Sequence, residues 1–387
     1  MADGARPRTP VRAPSRLRAL LRTLHLWLGL GAGLLFALLG ITGTVLTYQP
    51  ELLRWQYPAL FAQPVPDDAA IARGLQRLLA DPPAGVTGGD LPRAATPYWQ
   101  LYTSDGRRVY MDAAAENELL VRSSDNDWVL WMRELHTHLL AGHWGEEAVG
   151  VVGLVSLFLL GSGVYLWWPR FGGWWANLRW FAAPPVRRWL SWHRSVGVFT
   201  LPLLFLVTLT GAGMVYHGAA RAVLGTLLSD APDPTAPAAI ERAIVEQADR
   251  APTRAAATGH AVESADDHAA ARVLAAARAA LPRARLARVS LPAPDDARLG
   301  FRARSPGEWH PYGRSLVWID RDRAHALASS DATALAPAAR ATHAIYPLHM
   351  GAVGGWPYRT AVALSGLLPA FLLGTGTLLW LRRRRPR

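Results

Sequence analysis

Residues 24–48 read LHLWLGLGAGLLFALLGITGTVLTY, and residues 192–216 read WHRSVGVFTLPLLFLVTLTGAGMVY. Each stretch is long and apolar enough to cross about 30 Å of hydrocarbon as a helix. Each has a histidine as its second residue, a glycine four residues later and a Thr-Gly pair that begins seventeen residues later. The two stretches therefore predict two membrane-spanning helices built on one pattern.

Two further apolar blocks, 149–168 and 361–381, complete a set of four predicted spans. His136 precedes the first block and His349 the second, and each is followed by glycine after six and 27 residues and by tryptophan after 31. We therefore predict a tandem duplication in which each half contains a span, an external segment and a second span. Parallel repeats of this kind are usually related by a pseudo-twofold axis along the membrane normal.

Arginines mark one end of every predicted span. Six lie within residues 1–22, five within 169–194 and five within 382–387, and Asp3 is the one acidic residue in these segments. The positive-inside rule places them in the cytoplasm, together with both termini. The first span is expected to be a signal anchor, because its apolar run is too long for a signal peptide and no small-residue cleavage site follows it.

The composition excludes several classes of protein. The chain is 51% apolar with 17 Trp, which argues against disorder. It has no Cys, which excludes a disulfide scaffold, a zinc–thiolate site, an iron–sulfur protein and a covalently attached haem. Its net charge of +12 would suit nucleic-acid binding. The arginines, however, flank the predicted spans, so we expect the chain to contact membrane lipid and not nucleic acid.

The predicted fold class is an α-helical membrane protein, a four-transmembrane-helix bundle with two small α+β modules on the periplasmic side. Each module combines a helix with three strands: helix 67–80 with strands 98–103, 107–112 and 118–122, and helix 269–281 with strands 285–291, 298–304 and 315–320. The first half of the chain is predicted to contain a basic tail (1–23), the first span (24–48), module 1 (49–135) and a segment that begins at His136 and includes the second span (136–168). A cytoplasmic loop (169–192) follows. The second half contains the third span (193–216), module 2 (217–345) with an Ala/Pro/Asp-rich linker (230–267), a segment that holds His349 and the fourth span (346–381), and a basic tail (382–387).

Four of the 12 histidines are paired by the duplication: His25 with His193, and His136 with His349. A twofold axis brings equivalent residues towards each other, which gives two layers of two imidazoles. Two opposed neutral imidazoles at membrane depth are what a six-coordinate b-type haem requires. We therefore predict that these four histidines bind two haem b groups as axial ligands of the iron.

For the ligand expected from residues 135–138, on the outer side of the membrane, two histidines are candidates. His138 lies two residues after His136, and a helix would aim the two side chains in different directions. Glu134 either orients His136 or is a surface carboxylate. For any one of these histidines the competing interpretation is an ordinary solvated residue at the membrane interface. No P-loop, dinucleotide fingerprint or nucleophile elbow is present, so no catalytic side chain is assigned.

These residues resemble the PepSY-associated transmembrane family over nearly the whole chain, apart from the N-terminal tail and the 230–267 linker. The resemblance is carried by Leu24-His25-x-Trp27-x-Gly29-Leu30, Leu135-His136, Trp167-Trp168-Pro169-Arg170, Trp192-His193-Arg194, Leu348-His349-Met350-Gly351 and Leu379-Trp380-Leu381-Arg382-Arg383. It implies the same four histidines as haem ligands. It also implies that the external segments are PepSY domains, which they match in layout alone.

Some members of this family resemble ferric-siderophore reductases of the bacterial inner membrane. The resemblance implies a haem-dependent oxidoreductase that carries electrons from a cytoplasmic donor or quinol to a periplasmic ferric siderophore or similar iron complex. Reduction to Fe(II) would weaken the grip of hard oxygen ligands and release the metal. Two other interpretations stay open: a non-enzymatic membrane anchor whose modules bind peptides or a peptidase, and a siderophore or haem transporter.

Overall fold

The computed structural model describes residues 16–168, 173–228, 268–291 and 296–384. The predicted linker 230–267 lies outside the described residues. So do the first fifteen residues of the N-terminal tail, residues 169–172 of the predicted cytoplasmic loop and residues 385–387 of the C-terminal tail.

Four helical segments are long and apolar enough to cross a membrane, as predicted. They are α1 (Arg16–Leu46), α6 (Gly142–Trp167), α7 (Pro185–Val215) and the segment Gly355–Arg384. The prediction of a multi-pass membrane protein is therefore confirmed. Helices α1, α6 and α7 each begin seven or more residues before the apolar block that predicted them.

The fourth segment is divided into α11 (Gly355–Ser365) and α12 (Leu368–Arg384), where one span was predicted. Pro369 lies in the first turn of α12 and lacks the N–H that would continue a helical ladder from Ser365. At this break, a methyl group on Gly40 of α1 would overlap the carbonyl group of Gly366. The two backbones therefore pack directly against each other, which is the use that small residues have between spanning helices.

Shorter helices connect the spans to the rest of the chain. They are α2 (Gln49–Gln56), α3 (Pro58–Phe61), α4 (Asp68–Ala80), α5 (Trp128–His138), α8 (His217–Leu228), α9 (Ala269–Ala280) and α10 (Pro337–His349), with a 3₁₀ turn at Ala176–Leu178. Helix α5 ends at His138 and is followed by Leu139, whose φ of 47° is left-handed. Helix α10 is followed, two residues on, by Gly351 with a φ of 73°. His136 and His349 therefore lie in the last turns of separate helices before the spans.

The strands form one antiparallel sheet of eight in the order β4-β3-β2-β1-β5-β6-β7-β8. The strands are β1 (Val86–Asp90), β2 (Trp99–Thr103), β3 (Arg108–Met111), β4 (Glu118–Arg122), β5 (Arg285–Ser290), β6 (Arg298–Arg304), β7 (Ser315–Asp320) and β8 (His325–Ser330). The first four precede α5 and the last four follow α9. The segment between the first two spans and the segment between the last two therefore share a single sheet instead of holding one each.

Two strands were missing from the prediction, and β1 is the one that joins the halves. It pairs with β5 through Gly88 opposite Ser290, Gly89 opposite Val289 and Asp90 opposite Arg288. A Cβ on Gly88 would lie 2.5 Å from the carbonyl oxygen of Val289. The close approach of the two backbones requires glycine at this position. Because glycine is a poor strand former, the sequence of β1, VTGGD, has low strand propensity.

One hydrophobic core lies between the sheet and the two helices α4 and α9. Both helices contribute to it, as do strands from both halves of the sheet. Its fully buried members include Leu75, Trp99, Leu101, Val273, Val289, Leu299, Phe301, Val317 and Ile319. The alternation of buried and exposed positions leaves the other face of the sheet free to carry polar side chains.

The chain divides into two compact units. Unit 1 comprises Met1–Ile41, Val151–Leu209 and Leu364–Arg387, and unit 2 comprises Thr42–Gly150 and Thr210–Ala363. His25 and His193 belong to unit 1. His136, His349 and the sheet belong to unit 2.

Candidate functional site

The imidazoles of His25 and His193 face each other within unit 1. His25 lies on α1 and His193 on α7, and their ring centres are 6.3 Å apart with an interplanar angle of 83°. The pairing that the repeat spacing predicted therefore corresponds to a close contact of two rings.

A partner on another helix holds the Nδ1 atom of each of these rings. Nδ1 of His193 lies 3.0 Å from the carbonyl oxygen of Leu372 and 3.2 Å from Oγ1 of Thr375. Nδ1 of His25 lies 2.9 Å from Oγ of Ser162, whose hydroxyl donates to the carbonyl of Leu159 at 3.2 Å. A carbonyl oxygen only accepts, so Nδ1 of His193 carries the hydrogen and Nε2 of the neutral ring has a free lone pair. The bond from Ser162 to Leu159 favours the same tautomer for His25.

His136 and His349 form the equivalent pair within unit 2. His136 lies on α5 and His349 on α10, and their ring centres are 6.3 Å apart with an interplanar angle of 46°. Nδ1 of His136 lies 2.9 Å from Oγ1 of Thr42, and Nδ1 of His349 lies 3.4 Å from Oγ1 of Thr210. Each of the four rings thus has a hydroxyl group at its Nδ1 atom.

In all four cases the residue after that hydroxyl is a glycine that faces the same ring. The four dipeptides are Ser162-Gly163 against His25, Thr42-Gly43 against His136, Thr375-Gly376 against His193 and Thr210-Gly211 against His349. A Cβ on these glycines would lie between 2.8 and 3.4 Å from the Cε1 atom of the ring. The glycines therefore let each imidazole lie against a helix backbone, and the hydroxyls fix its orientation.

The spacing within each pair fits a metal ion between the rings. A metal–imidazole nitrogen bond is about 2 Å long, and the atoms of a five-membered ring lie about 1.1 Å from its centre. Two imidazoles on opposite sides of one metal ion therefore have ring centres about 6.2 Å apart. Both pairs have this separation, at 6.3 Å.

The number of protein ligands at each pair bears on the kind of metal centre that could bind there. Among the residues that the structure describes, no group of three or more His, Cys, Asp or Glu side chains is placed to hold a metal ion. A pair of imidazoles supplies two ligands to a metal. Haem is a metal-containing group that two histidines of this kind would hold.

His138 does not take part in either pair. Its Nδ1 atom lies 2.7 Å from Oγ1 of Thr137 and 3.3 Å from Oε1 of Glu134, one turn earlier on α5. His136 is therefore the residue of α5 that faces His349. Glu134, considered from the sequence as a partner of His136, contacts His138 instead.

The sequence did not lead us to predict that Ser162 and Thr375 contact the histidine rings. Gly163 and Gly376 were part of the repeat pattern, but the residue before each was not considered. A signal was present, since Ser or Thr precedes glycine at all four positions. This pattern occurs once on each of the first three spans and twice on the fourth, at Ser365-Gly366 and Thr375-Gly376. It would have identified Ser162, and the glycine of the repeat, Gly376, would have selected Thr375.

Comparison with known proteins gives one family. A sequence profile described as the PepSY-associated TM region matches residues 22–383. This match spans all four candidate membrane helices and the sheet. A search among curated proteins gave no match.

Proposed function

The chain belongs to the PepSY-associated transmembrane family, and on that premise we propose that it transfers electrons across a membrane through two haem b groups. The donor would be cytoplasmic or a quinol, and the acceptor a periplasmic iron complex, foremost a ferric siderophore. In this proposal the protein is a haem-dependent ferric reductase.

The observation that carries the proposal is the repeated geometry of the histidine pairs. Each pair has a ring separation of 6.3 Å, which suits two axial ligands of one iron. Within a pair, the two rings are held by separate helices, so the ligand geometry does not depend on one flexible segment. Partners that fix the tautomer of a ligating histidine are the usual support for a metal site.

Haem would supply one-electron redox chemistry at each pair. The side chains of the protein would bind the haem and fix the orientation of the histidine rings. The hydroxyls of Ser162 and Thr42 hold the rings, and the Nδ1–H of His193 donates to the carbonyl of Leu372.

We also propose the orientation and the duplication. The arginine-rich segments would lie in the cytoplasm of a bacterial cell, with the chain in its inner membrane. The described arginines of these segments are Arg16, Arg18, Arg22, Arg179, Arg187, Arg188, Arg194 and Arg382–Arg384. The sheet and its helices would then be periplasmic PepSY-like modules. The strand order, in which β4 to β1 mirrors β5 to β8, supports two duplicated halves.

The experiment is a single-turnover reaction. Detergent-purified protein is reduced with limiting dithionite, mixed with ferric citrate in the presence of an Fe(II)-specific chelating dye, and followed by absorption. The proposal predicts that the reduced spectrum is lost at the rate at which the Fe(II)–dye complex forms. A reduced spectrum that persists while ferric citrate is present would contradict it, and the absence of any haem would favour the anchor.

A further inference from the structure

The face of the sheet opposite α4 and α9 carries arginine and tyrosine side chains. Trp99 and Leu101 of β2 and Phe301 of β6 lie in the core, so Tyr102 and Arg302, which alternate with them, point to the other face. Arg288 of β5 lies on this face as well, because its guanidinium donates to Tyr102 Oη at 2.9 Å.

Aromatic rings connect these arginines to the loop between β6 and β7 and to α10. The guanidinium of Arg288 lies 4.4 Å from the ring centre of Tyr102 and 5.3 Å from that of Tyr312. His310 of the same loop stacks on Tyr346 of α10, with ring centres 5.1 Å apart. We call Tyr102, Arg288, Arg302, His310, Tyr312, Arg314, His343 and Tyr346 the arginine–tyrosine cluster.

The positive charge of this cluster exceeds its negative charge. Asp90 accepts from Arg288 at 2.6 Å and is thereby engaged. The carboxylate of Glu308 accepts from Ser305 N at 2.7 Å, from Ser315 Oγ at 2.6 Å and from the backbone N–H of Arg314. Neither carboxylate forms an ion pair with the guanidinium of Arg302 or Arg314.

Arg302 and Arg314 lack a partner within the described part of the chain. Neither guanidinium makes a hydrogen bond or ion pair there, although both side chains are half-buried. Nε of Arg314 and Nδ1 of His343 are fully buried without a hydrogen-bond partner. Buried polar and charged groups are normally paired, because leaving them unpaired costs free energy. The guanidinium groups of Arg302 and Arg314 are therefore arranged for a ligand that accepts hydrogen bonds.

The electrostatics of the cluster agree with an anion-binding site. Burial, together with the neighbouring Arg314 and Arg288, lowers the pKa of Arg302 to about 10. Burial and the same arginines lower the pKa of His310 to about 3. Burial is the larger cause of both shifts, and the neighbouring arginines add a repulsion between like charges that an anion would relieve.

The cluster is close in sequence and in space to the His136–His349 pair, within the same unit. Tyr346 and His349 are three residues apart on α10 and share a face of that helix. Since Tyr346 stacks on His310, one helical turn connects the cluster to a proposed haem ligand.

We propose that the arginine–tyrosine cluster is the acceptor site and that it selects anionic, oxygen-rich ferric chelates over neutral or cationic ones. Arg302 and Arg314 would pair with ligand carboxylates or catecholate oxygens, as guanidinium groups do with planar oxyanions. The tyrosine rings would contact the body of the chelate. This inference rests on the proposed function, because it names the substrate class of that reductase.

Binding can be tested without electron transfer, because Ga(III) chelates copy the shape and charge of Fe(III) chelates and are not reduced. The probes are anionic Ga(III)–EDTA and the cationic Ga(III) complex of desferrioxamine B, titrated calorimetrically into the full detergent-solubilised chain. We expect the first to bind and the second not to bind. Arg302→Gln and Arg314→Gln should each weaken binding of Ga(III)–EDTA by about ten-fold or more, since a charge-assisted hydrogen bond is lost.

Arg278→Gln is the matched control, because it removes the same charge from α9 on the opposite side of the sheet, where Arg278 pairs with Asp68. It should bind Ga(III)–EDTA as the wild type does. Arg302→Lys should recover part of the loss, which separates charge from misfolding. Equal affinity for the two probes, or equal effects of Arg302→Gln and Arg278→Gln, would overturn the inference while leaving electron transfer intact. Loss of haem or of electron transfer with charge-selective binding retained would instead count against the proposed function alone.

Discussion

Nδ1 of His193 lies 3.0 Å from the carbonyl oxygen of Leu372. Because a carbonyl oxygen only accepts hydrogen bonds, this contact places the hydrogen on Nδ1 and leaves Nε2 as the nitrogen that can bind a metal. The tautomer of one proposed ligand is therefore set by the backbone of another helix. Side-chain hydroxyls lie at Nδ1 of the other three rings. Removing a hydroxyl therefore tests whether the contact at Nδ1 supports metal binding by that ring.

Ser162→Ala removes the partner of His25 Nδ1 without touching the imidazole itself. Loss of such a partner typically lowers metal affinity by about ten- to a hundred-fold. We expect weaker retention of one haem and a shifted midpoint potential for that haem, measured by competition with apomyoglobin and by redox titration. Ser156→Ala is the matched control, because Ser156 lies on the same helix and its hydroxyl donates to the backbone of Val152. Equal behaviour of the two variants would show that the contact with His25 has no role in ligation.

Gly211→Ala tests the close approach of His349 to α7. The added methyl group would lie 2.8 Å from Cε1 of His349, which forces the ring to move. We expect the haem of this pair to lose one axial ligand, seen as a high-spin fraction in the absorption and EPR spectra. Gly213→Ala, two residues further along the same helix, places its methyl group 3.6 Å or more from any neighbour and should leave the spectra unchanged. A high-spin signal in both variants, or in neither, would count against this geometry.

Asp127 supports the helix that carries His136. Its carboxylate accepts the backbone N–H of Leu130 at 2.9 Å, which caps α5, and it pairs with Arg122 at 2.8 Å. Both side chains are at most 1% exposed, so Asp127→Ala would leave a buried guanidinium without its counter-ion. Breaking such a pair costs about 3–5 kcal/mol. We expect a loss of that size in the urea-unfolding free energy.

The double variant Arg122→Met/Asp127→Ala provides the control. It removes the stranded charge as well, so much of the stability should return. If the double variant is as unstable as Asp127→Ala, the loss comes from the helix cap and the ion-pair explanation is wrong.

His310 makes the stability of the sheet depend on pH. Burial, with Arg314, Arg302 and Arg288 nearby, lowers its pKa from 6.5 in the unfolded chain to about 3. Between these values the unfolded state binds more protons, so stability falls as the pH falls. The loss for this side chain, which is 6% exposed, is about 2 kcal/mol between pH 7 and pH 5. His310→Gln should flatten the pH dependence of urea unfolding; an unchanged slope would contradict this assignment.

The sequence predicted the spans and the histidine pairs because both depend on strong local patterns. Apolar length identifies a span, and the recurrence of His, Gly and Thr-Gly at fixed intervals pairs His25 with His193. The strands with regular alternation, such as β6 and β7, were predicted with the bounds that the structure has. These features need no knowledge of tertiary contacts.

What the sequence did not predict depends on contacts between distant segments. Strand β1 contains Gly88 and Gly89, which are poor strand formers, and its place in the sheet is explained by the backbone of β5 beside it. The pairing of β1 with β5 merges two expected modules into one sheet. The choice between His136 and His138 depends on which ring faces His349, on a helix more than 200 residues further along the chain.

The most direct test is the haem content per chain of the purified wild type and of single histidine variants, by pyridine haemochrome assay. We predict two haem b groups in the wild type and one in each of the variants His25→Ala, His193→Ala, His136→Ala and His349→Ala. His138→Ala, which changes the same α5 helix outside the ring pair, should keep both. A wild type without haem after expression with haem supplied, or a His138→Ala variant that loses a haem while His136→Ala keeps two, would contradict the account.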